Sequence, residues 1–339
     1  MYDLVRRGLF LLSPETAHDI SLEGLGALHR LGALSWQSAV PECSPKTLWG
    51  LEFKNPIGLA AGLDKNADYL DALGALGFGF VEVGTVTPRP QPGNPMPRLF
   101  RLPESQAIIN RMGFNNKGVD YLVERVKKSR YSGVIGINIG KNKTTPEEEA
   151  LADYLHCLDK VHEHADYVVV NLSSPNTPGL RNLQFGDALK QLLEGLKERQ
   201  QFLARQSGKK PVLIKIAPDL DVEEIEQIAA LFNDYEVDGV VATNTTLSRD
   251  RVSGQAGAEE AGGLSGAPLR HNATRVLRQF RSALNDDIPL IGVGGVLYGE
   301  DACEKVEAGA DLVQIYTGFI YRGPALIREC VAALNKKAD

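Results

Sequence analysis

Two lysines stand where apolar runs end, a position in which an unpaired charge is costly. Lys65 ends the run AAGLDK, and Lys215 lies within LIKIAP. Burial of an ammonium group without a partner costs several kcal/mol, so we expect an anionic ligand beside both side chains. At this point a Schiff base between Lys215 and a carbonyl substrate is an open alternative, because a lysine on a barrel strand can act as a nucleophile.

Asparagines are frequent at the ends of the same apolar runs. A primary amide both donates and accepts hydrogen bonds, so a group of amides suits a planar heterocycle edged with carbonyl and N–H groups. Ser174 follows one of these runs in the segment NLSSPN. The sequence does not indicate a Ser/His/Asp triad, so this serine could act as a base only with help from the substrate, a cofactor or local hydrogen bonds. The asparagines in question are Asn110, Asn115, Asn138, Asn171, Asn176 and Asn244.

Glycine-rich turns follow the last two apolar runs. GVGG (292–295) and YTG (316–318) stand at these ends. GGLSG (262–266) is interpreted as a further glycine-rich strand end that leads into the same region. Glycine lets backbone N–H groups approach a phosphate without interference from a side chain. None of the three is a GxGxxG fingerprint or a Walker loop, so the pattern indicates a mononucleotide phosphate rather than a dinucleotide.

Eight short, nearly continuous apolar runs alternate with amphipathic stretches, which predicts buried parallel strands separated by helices. A (β/α)₈ barrel is the first choice, and a doubly wound sheet is the alternative. In a barrel, all the polar strand ends meet at one mouth. The runs begin at Ile57, Gly79, Val134, Tyr167, Val212, Gly239, Pro289 and Leu312, and the predicted helices cover 66–76, 119–128, 151–165, 188–206, 222–232, 272–284 and 299–308.

The first 50 residues do not follow this alternation. Tyr2–Leu12 is short and apolar with a basic pair, and Ser13-Pro14 is expected to begin a second, leucine-rich helix. Two interpretations stay open: a hairpin docked on the barrel, or a membrane-surface element whose Arg6, Arg7 and Arg30 meet lipid headgroups.

Composition excludes several classes of protein. The 339 residues carry 37 basic and 43 acidic side chains, so the net charge of −6 gives no reason to expect nucleic acid as a partner. No apolar run approaches the length of a membrane span. The four cysteines are widely separated and have no metal-ligand spacing, so no metal site is expected.

Ten motifs follow one another along the chain: NPIGLAAGLDK (55–65), EVGTVTPRPQPGNPMPRLFR (82–101), INRMGFNN (109–116), INIGKNK (137–143), NLSSPNTPGLR (171–181), KIAPDL (215–220), ATNTT (242–246), GGLSG (262–266), IGVGG (291–295) and QIYTGF (314–319). Their order resembles the dihydroorotate dehydrogenase family over residues 1 to about 330. This resemblance implies an α/β fold, a (β/α)₈ TIM barrel with an N-terminal helical extension, that holds FMN and oxidises dihydroorotate to orotate in pyrimidine biosynthesis. Soluble members carry cysteine where this chain has Ser174, so the resemblance is to the membrane-associated, quinone-reducing class 2.

The resemblance also implies roles for individual residues. Ser174 is the expected catalytic base, and Lys215 is expected beside N1 of the flavin, which displaces the Schiff-base alternative. The expected FMN-binding residues are Ala61, Gly62, Leu63, Asp64, Lys65, Thr85, Asn138, Asn171, Lys215, Thr243, Gly266, Gly295, Tyr316 and Thr317. The expected substrate-binding residues are Lys65, Asn110, Arg111, Met112, Gly113, Phe114, Asn171, Asn176, Asn244 and Thr245.

For the class 2 enzyme, the resemblance implies two parts. Residues 1–40 are expected to form an amphipathic helical segment that contacts the membrane lipid surface and provides a tunnel for quinone, and residues 41–339 the FMN-binding barrel. His18 and Arg101 are the expected contacts of the quinone head, with ubiquinone or menaquinone as acceptor. The expected location is the cytoplasmic face of the inner membrane, as a peripheral protein.

Overall fold

The computed structural model describes residues 2–34 and 40–338, which contain eleven α-helices and thirteen strands. The helices are α1 (Tyr2–Leu9), α2 (Pro14–Arg30), α3 (Leu70–Gly74), α4 (Val119–Lys128), α5 (Ala150–Val161), α6 (Gly186–Ser207), α7 (Val222–Asp234), α8 (Arg270–Ala283), α9 (Gly299–Glu307), α10 (Thr317–Arg322) and α11 (Ala325–Ala338). The strands are β1 (Lys46–Leu48), β2 (Leu51–Phe53), β3 (Ile57–Leu59), β4 (Phe80–Val86), β5 (Leu99–Leu102), β6 (Ala107–Asn110), β7 (Val134–Ile139), β8 (Tyr167–Asn171), β9 (Val212–Ile216), β10 (Gly239–Ala242), β11 (Gly263–Gly266), β12 (Leu290–Val293) and β13 (Leu312–Ile315).

Eight parallel strands close into a barrel in the order β3-β4-β7-β8-β9-β10-β12-β13, with β13 pairing back onto β3. These are the eight apolar runs of the sequence, so the (β/α)₈ prediction is confirmed and the doubly wound alternative is wrong. The predicted helices over 119–128, 188–206, 222–232, 272–284 and 299–308 are found within two residues of their expected ends. The helix predicted over 151–165 ends at Val161.

The predicted helix over 66–76 is reduced to the five residues of α3. The reason is the buried carboxylate of Asp64, which accepts hydrogen bonds from the backbone N–H groups of Asp68 (2.9 Å) and Tyr69 (2.7 Å). These bonds hold residues before Leu70 in a turn, because a side chain that satisfies backbone donors competes with the helix for them.

Side chains of the barrel strands alternate between the barrel interior and the surrounding helices. On β8, Tyr167 and Val169 belong to an interior cluster with Phe80, whereas Val168 and Val170 belong to the larger core beneath the helices. This alternation follows from the two-residue period of a strand. It also decides which polar side chains of a strand face the barrel axis.

The antiparallel pair β1–β2, which the sequence analysis does not predict, packs against the interior cluster. The Phe53 and Phe80 rings meet edge to face at 5.3 Å, and Trp49 lies 6.1 Å from the Tyr167 ring. Trp49 also donates a hydrogen bond to the Asp238 carbonyl, just before β10 begins. The pair therefore closes the end of the barrel opposite to the strand ends that carry the polar residues.

A separate antiparallel sheet is formed by β5, β6 and β11. Its strand β11 is most of the GGLSG segment, which the sequence analysis treats as the glycine-rich end of a strand. The segment is itself a strand paired with β6, so that part of the interpretation is wrong. Gly263 explains the glycine preference, because a Cβ there would overlap the Thr245 side chain.

Helices α1 and α2 dock on the barrel by polar contacts. Arg6 donates to the Tyr321 carbonyl at 2.6 Å, and Arg98 pairs with Glu15 at 2.9 Å. The predicted cap is confirmed, since the Ser13 hydroxyl accepts a hydrogen bond from the Thr16 N–H. Within the described ranges, no helix is both long and apolar enough to cross a membrane.

Candidate active site

A cavity of about 1000 Å³, including the part of its mouth that is open to solvent, lies at the carboxyl ends of the barrel strands. Nearly all the expected site residues line it, although they come from well-separated parts of the chain. Those that do are Ala61, Gly62, Lys65, Thr85, Asn110, Met112, Gly113, Phe114, Asn171, Ser174, Asn176, Lys215, Thr243, Asn244, Thr245, Gly266, Gly295, Tyr316 and Thr317. The barrel therefore brings the polar strand ends together as its topology requires.

One end of the cavity has the shape of an anion cradle. Gly295 has φ +78°, and a Cβ at this position would overlap the backbone and Cβ of Arg270 at the start of α8. The hydroxyl groups of Ser265 and Thr317 lie 2.8 Å apart at the same end. Backbone N–H groups near a helix N-terminus, together with hydroxyl donors, suit a phosphate group.

Amides and a hydroxyl form a buried network on the opposite wall. Asn171 donates through Nδ2 to Thr85 Oγ1 at 3.0 Å and to Asn138 Oδ1 at 3.2 Å. Thr85 itself donates to Asn138 Oδ1 at 2.6 Å. On its other side, Asn171 Oδ1 accepts from Ser173 N at 3.2 Å and, more weakly, from Asn244 Nδ2 at 3.4 Å. The network fixes which edge of each amide faces the cavity.

Two lysines bring positive charge to the cavity. Among the described residues, neither Lys65 nor Lys215 has a hydrogen-bond or ion-pair partner for its ammonium group. Burial lowers the pKa of Lys215, an effect that the Glu82 carboxylate opposes. Burial and the Arg98 charge lower the pKa of Lys65 to about 8. Neither ammonium group is therefore engaged by a protein acceptor among the described residues.

Ser174 lies on the loop after β8, which is held by a single guanidinium group. Arg181 donates to the Ser173 carbonyl (3.0 Å), to the Thr245 carbonyl (2.9 Å) and to Asp219 (2.8 Å). The Ser174 hydroxyl accepts from Asn176 N at 3.3 Å. The Arg181 side chain therefore connects the loop of Ser174 to those that follow β9 and β10.

Four of the expected FMN- and substrate-binding residues lie outside the lining of this cavity. Asn138 lies beneath it within the amide network. The Asp64 carboxylate accepts from backbone N–H groups of its own turn, and Asp64 and its neighbour Leu63 line a second cavity. Arg111 turns away, pairing with Glu260 at 2.7 Å and lying 4.4 Å from the centre of the Phe100 ring.

A second cavity, of about 1640 Å³ including open space, lies between α2 and the barrel. Lys65 and Met112 line both cavities, so the two spaces meet at these side chains. His18 lines the second cavity, where burial and the Lys65 charge lower its pKa to about 3 and leave the imidazole neutral. Arg101 does not line either cavity.

Arg101 instead holds the connection between the N-terminal helices. Its guanidinium group donates to the carbonyls of Phe10 (3.0 Å) and Leu12 (3.1 Å) and lies 4.5 Å from the centre of the Phe10 ring. The structure therefore does not bring His18 and Arg101 to one cavity.

Glu82 and Gln314 are residues of this region that the sequence analysis misses. Glu82 is fully buried inside the barrel, and Gln314 lines the floor of the first cavity, where its Oε1 atom is buried without a partner among the described residues. The available signal was a single acid within the apolar run GFVEVG. Such an acid is informative because charged residues are almost never fully buried unless they are paired.

The chain is similar to known proteins over nearly its whole length. The family model described as dihydroorotate dehydrogenase matches residues 44–337. A protein of Ectopseudomonas mendocina named dihydroorotate dehydrogenase (quinone) is 59% identical over 98% of both chains, and one of the same name from Azotobacter vinelandii is 60% identical over 98% of this chain and 96% of its own. The crystal structure of the DHODH of Eimeria tenella with ferulenol is 37% identical, with a TM-score of 0.86, over 97% of this chain and 93% of that one.

Proposed function

The chain belongs to the dihydroorotate dehydrogenase family, and we propose that it oxidises dihydroorotate with FMN as its flavin, Ser174 as the base and a membrane quinone as the final acceptor. The quinone-dependent name of its close relatives supports the oxidation of dihydroorotate in pyrimidine biosynthesis as the activity. The single observation that carries the finer proposal is the meeting of three features in one cavity: a phosphate cradle, an unpaired buried ammonium group and a set of oriented amides.

The residues present fit FMN. The cradle at Gly295 and Thr317 suits one phosphate group. The sequence contains no GxGxxG segment, the motif that binds the diphosphate of a dinucleotide. The unpaired Lys215 ammonium and the orphaned Gln314 Oε1 supply a cation and an acceptor in the cavity lining. When bound, FMN supplies the redox chemistry, by accepting two electrons from the substrate and passing them on.

The other wall suits the substrate. Lys65 offers its ammonium group to a carboxylate, and Asn171, Asn176 and Asn244 offer amide donors and acceptors to the ring of a dihydropyrimidine. Asn176 is oriented by its own bonds, since Nδ2 donates to Asn110 O at 3.1 Å. Because these side chains are held before substrate arrives, they position it at little entropic cost.

Ser174 is the proposed base. Its hydroxyl is buried at the cavity wall, and the Arg181 contacts hold the loop that carries it. In the proposal, Ser174 Oγ would take the proton from C5 of dihydroorotate, and bound FMN would be the acceptor of the hydride, the hydrogen with its electron pair, from C6. Exclusion of water by the loop prevents the proton from being exchanged with solvent during this step.

The second cavity is the proposed route of the quinone. It meets the first cavity at Lys65 and Met112 and is bounded by α2, so it connects the flavin site with the N-terminal segment 1–40. His18 is the proposed contact of the quinone, and Arg101 contributes by holding the helix connection. The proposed acceptor is ubiquinone or menaquinone. The proposed location is peripheral, on the cytoplasmic face of the inner membrane, with residues 41–339 as the catalytic part.

Anaerobic mixing of the purified protein with dihydroorotate tests the proposal. We expect a yellow protein whose flavin absorbance bleaches on mixing, and faster reoxidation by quinones than by fumarate or NAD. Ser174→Ala should slow bleaching about 10²-fold or more, the usual contribution of a general base, while flavin binding is unchanged.

The matched control is Thr177→Val, which removes a buried hydroxyl on the same loop that has no hydrogen-bond partner among the described residues and does not line the cavity. It should slow bleaching far less. A colourless protein or the absence of bleaching would refute the activity, a preference for fumarate would refute the acceptor, and equal rates in the two variants would remove Ser174 from its role.

A further inference from the structure

Glu82 is a fully buried carboxylate beneath the flavin cavity. Its Oε1 accepts from Asn138 Nδ2 at 2.8 Å, and its Oε2 accepts from Gln314 Nε2 at 2.5 Å and, more weakly, from the Tyr167 hydroxyl at 3.4 Å. No ion pair compensates its charge among the described residues, and it does not line the cavity. Desolvation of a buried charge costs free energy, and an apolar side chain packed at the same position would not have this cost. The presence of Glu82 inside the barrel therefore needs a physical explanation.

The contacts of Glu82 determine the orientation of the amides above it. Because a carboxylate only accepts hydrogen bonds, Asn138 must direct Nδ2 to Glu82 and its Oδ1 toward the mouth. That Oδ1 then accepts from Thr85 and Asn171, so the Asn171 Oδ1 is left to accept from Ser173 N. A chain of oriented hydrogen bonds thus runs from Glu82 to the residue before Ser174.

The second consequence is electrostatic. Lys215 has no hydrogen-bond partner within the described residues, and Glu82 is the charge that opposes the effect of burial on its pKa. In the weakly polarisable interior of a barrel, two charges interact over more than contact distance. The carboxylate therefore offsets part of the field that Lys215 exerts in the cavity.

We propose that Glu82 is a positioning residue of the flavin site, which orients the Asn138–Asn171 amides and, by offsetting the charge of Lys215, lowers the redox potential of the bound flavin. This inference rests on the proposed function, because it requires FMN in the cavity. Reduction places negative charge on the flavin ring, so a nearby carboxylate disfavours the reduced state and makes transfer of electrons to the quinone easier.

The variant Glu82→Gln removes the charge and keeps the shape. Gln314 can turn its amide so that its Oε1, which lacks a partner among the described residues, accepts from the new NH₂ group. Asn138 then keeps its orientation, and the Gln314 NH₂ group takes the place of Oε1 in the cavity lining. We expect the holoenzyme to retain FMN and its midpoint potential to shift in the positive direction, measured by anaerobic titration with dithionite and a reference dye.

Asp238→Asn is the matched control. The Asp238 carboxylate is also largely buried, with 7% of its side chain exposed, and accepts from Gln200 Nε2 (2.5 Å) and Val212 N (2.9 Å). Unlike Glu82 it pairs with a lysine, Lys209 (2.6 Å), and it lies just before β10, at the opposite end of the barrel. This variant loses one charge without changing the field at the flavin. Its midpoint potential should equal that of the unchanged protein, and an equal shift in both variants would contradict the proposal.

The double variant E82Q/Q314E tests the same charge in a second way. It exchanges the donor and acceptor of one hydrogen bond and returns a carboxylate to the floor of the cavity. We expect the potential to return toward that of the unchanged protein, and FMN to be retained even if Glu82→Gln alone releases it. An unshifted potential in Glu82→Gln, or loss of FMN from both variants while Asp238→Asn keeps it, would overturn the proposal. The titration needs no turnover, so failure of dihydroorotate to bleach the unchanged protein would count against the proposed function alone.

Discussion

At the scale of single residues, position 295 requires glycine for two independent reasons, its backbone angle and the lack of space for a side chain. Its φ of +78° is unfavourable for other residues, and a Cβ would overlap Arg270 at the proposed phosphate cradle. We expect Gly295→Ala to weaken FMN binding at least about tenfold, because the displaced backbone no longer directs its N–H groups at the phosphate. Quenching of flavin fluorescence on titration of the apoprotein measures the dissociation constant.

Gly254 separates the two properties. It has nearly the same backbone angle, φ +79°, but no atom lies within 4 Å of the position that an alanine methyl group would take. Gly254→Ala carries the same conformational cost, about 1–2 kcal/mol, without a clash. Unaltered FMN affinity is expected for this variant, and equal weakening by both substitutions would mean that backbone strain alone, and not the cradle, explains the effect.

At the scale of elements, the Arg181–Asp219 pair connects the loops that follow β8, β9 and β10. Asp219 accepts from Leu247 N at 2.9 Å and from the Thr246 hydroxyl in addition to Arg181. Arg181→Lys keeps the charge but cannot reach three acceptors with a planar group. We expect flavin reduction by dihydroorotate to slow about tenfold, the effect of about 1.4 kcal/mol lost in positioning Ser174. Stopped-flow absorbance measures this rate, with substrate affinity obtained from its concentration dependence.

Arg275, a second half-buried arginine, provides the matched control for the Arg181→Lys variant. Arg275 on α8 also binds three acceptors, namely the Leu220 carbonyl (3.0 Å), Asn272 Oδ1 (2.9 Å) and Gln279 Oε1 (2.5 Å), and it does not line the cavity. Arg275→Lys should leave the reduction rate within about twofold. Similar slowing by the two lysine variants would assign Arg181 to general stability rather than to Ser174.

At the scale of the whole molecule, the N-terminal segment exposes several apolar side chains. Leu4 on α1, Leu11 between α1 and α2, and Leu31 just after α2 are 76%, 87% and 80% exposed, and the basic Arg7 and Arg30 are exposed in the same segment. Such a surface fits an element that lies in the membrane interface. Replacing the three leucines by glutamine should lower affinity for anionic lipid vesicles at least about a hundredfold, because each buried leucine contributes roughly 1.5–3 kcal/mol. Vesicle sedimentation measures the affinity, and flavin reduction by dihydroorotate should be unchanged.

Exposed apolar side chains also occur elsewhere on the surface, which allows a matched control. Phe202, Val222 and Leu247 are 47%, 50% and 52% exposed and lie outside the N-terminal segment. The corresponding triple glutamine variant should bind vesicles like the unchanged protein. If both triple variants lose the same affinity, the N-terminal helices have no special part in membrane contact.

The sequence alone determined the barrel strands and the residues at their carboxyl ends. Strands buried on both faces are continuous apolar runs, and amphipathic helices repeat with their own period, so both can be read from a window of neighbouring residues. Polar residues at strand ends meet wherever parallel strands share one edge, so the gathering of the polar strand ends also followed from local pattern and topology. Met112, Gly113 and Phe114, which line the same cavity, were expected only from the family resemblance.

The pairing of individual polar side chains, in contrast, depends on contacts made in the folded chain. Glu82 and Gln314 are separated by 232 residues and meet because β13 and β4 enclose the same interior. The β5–β6–β11 sheet, the turning away of Arg111 and the separation of His18 from Arg101 likewise depend on contacts between distant segments. A sequence pattern records which face of an element is apolar, whereas the partner of a buried polar group is set by the closure of the barrel, where each donor must find an acceptor among side chains far away along the chain.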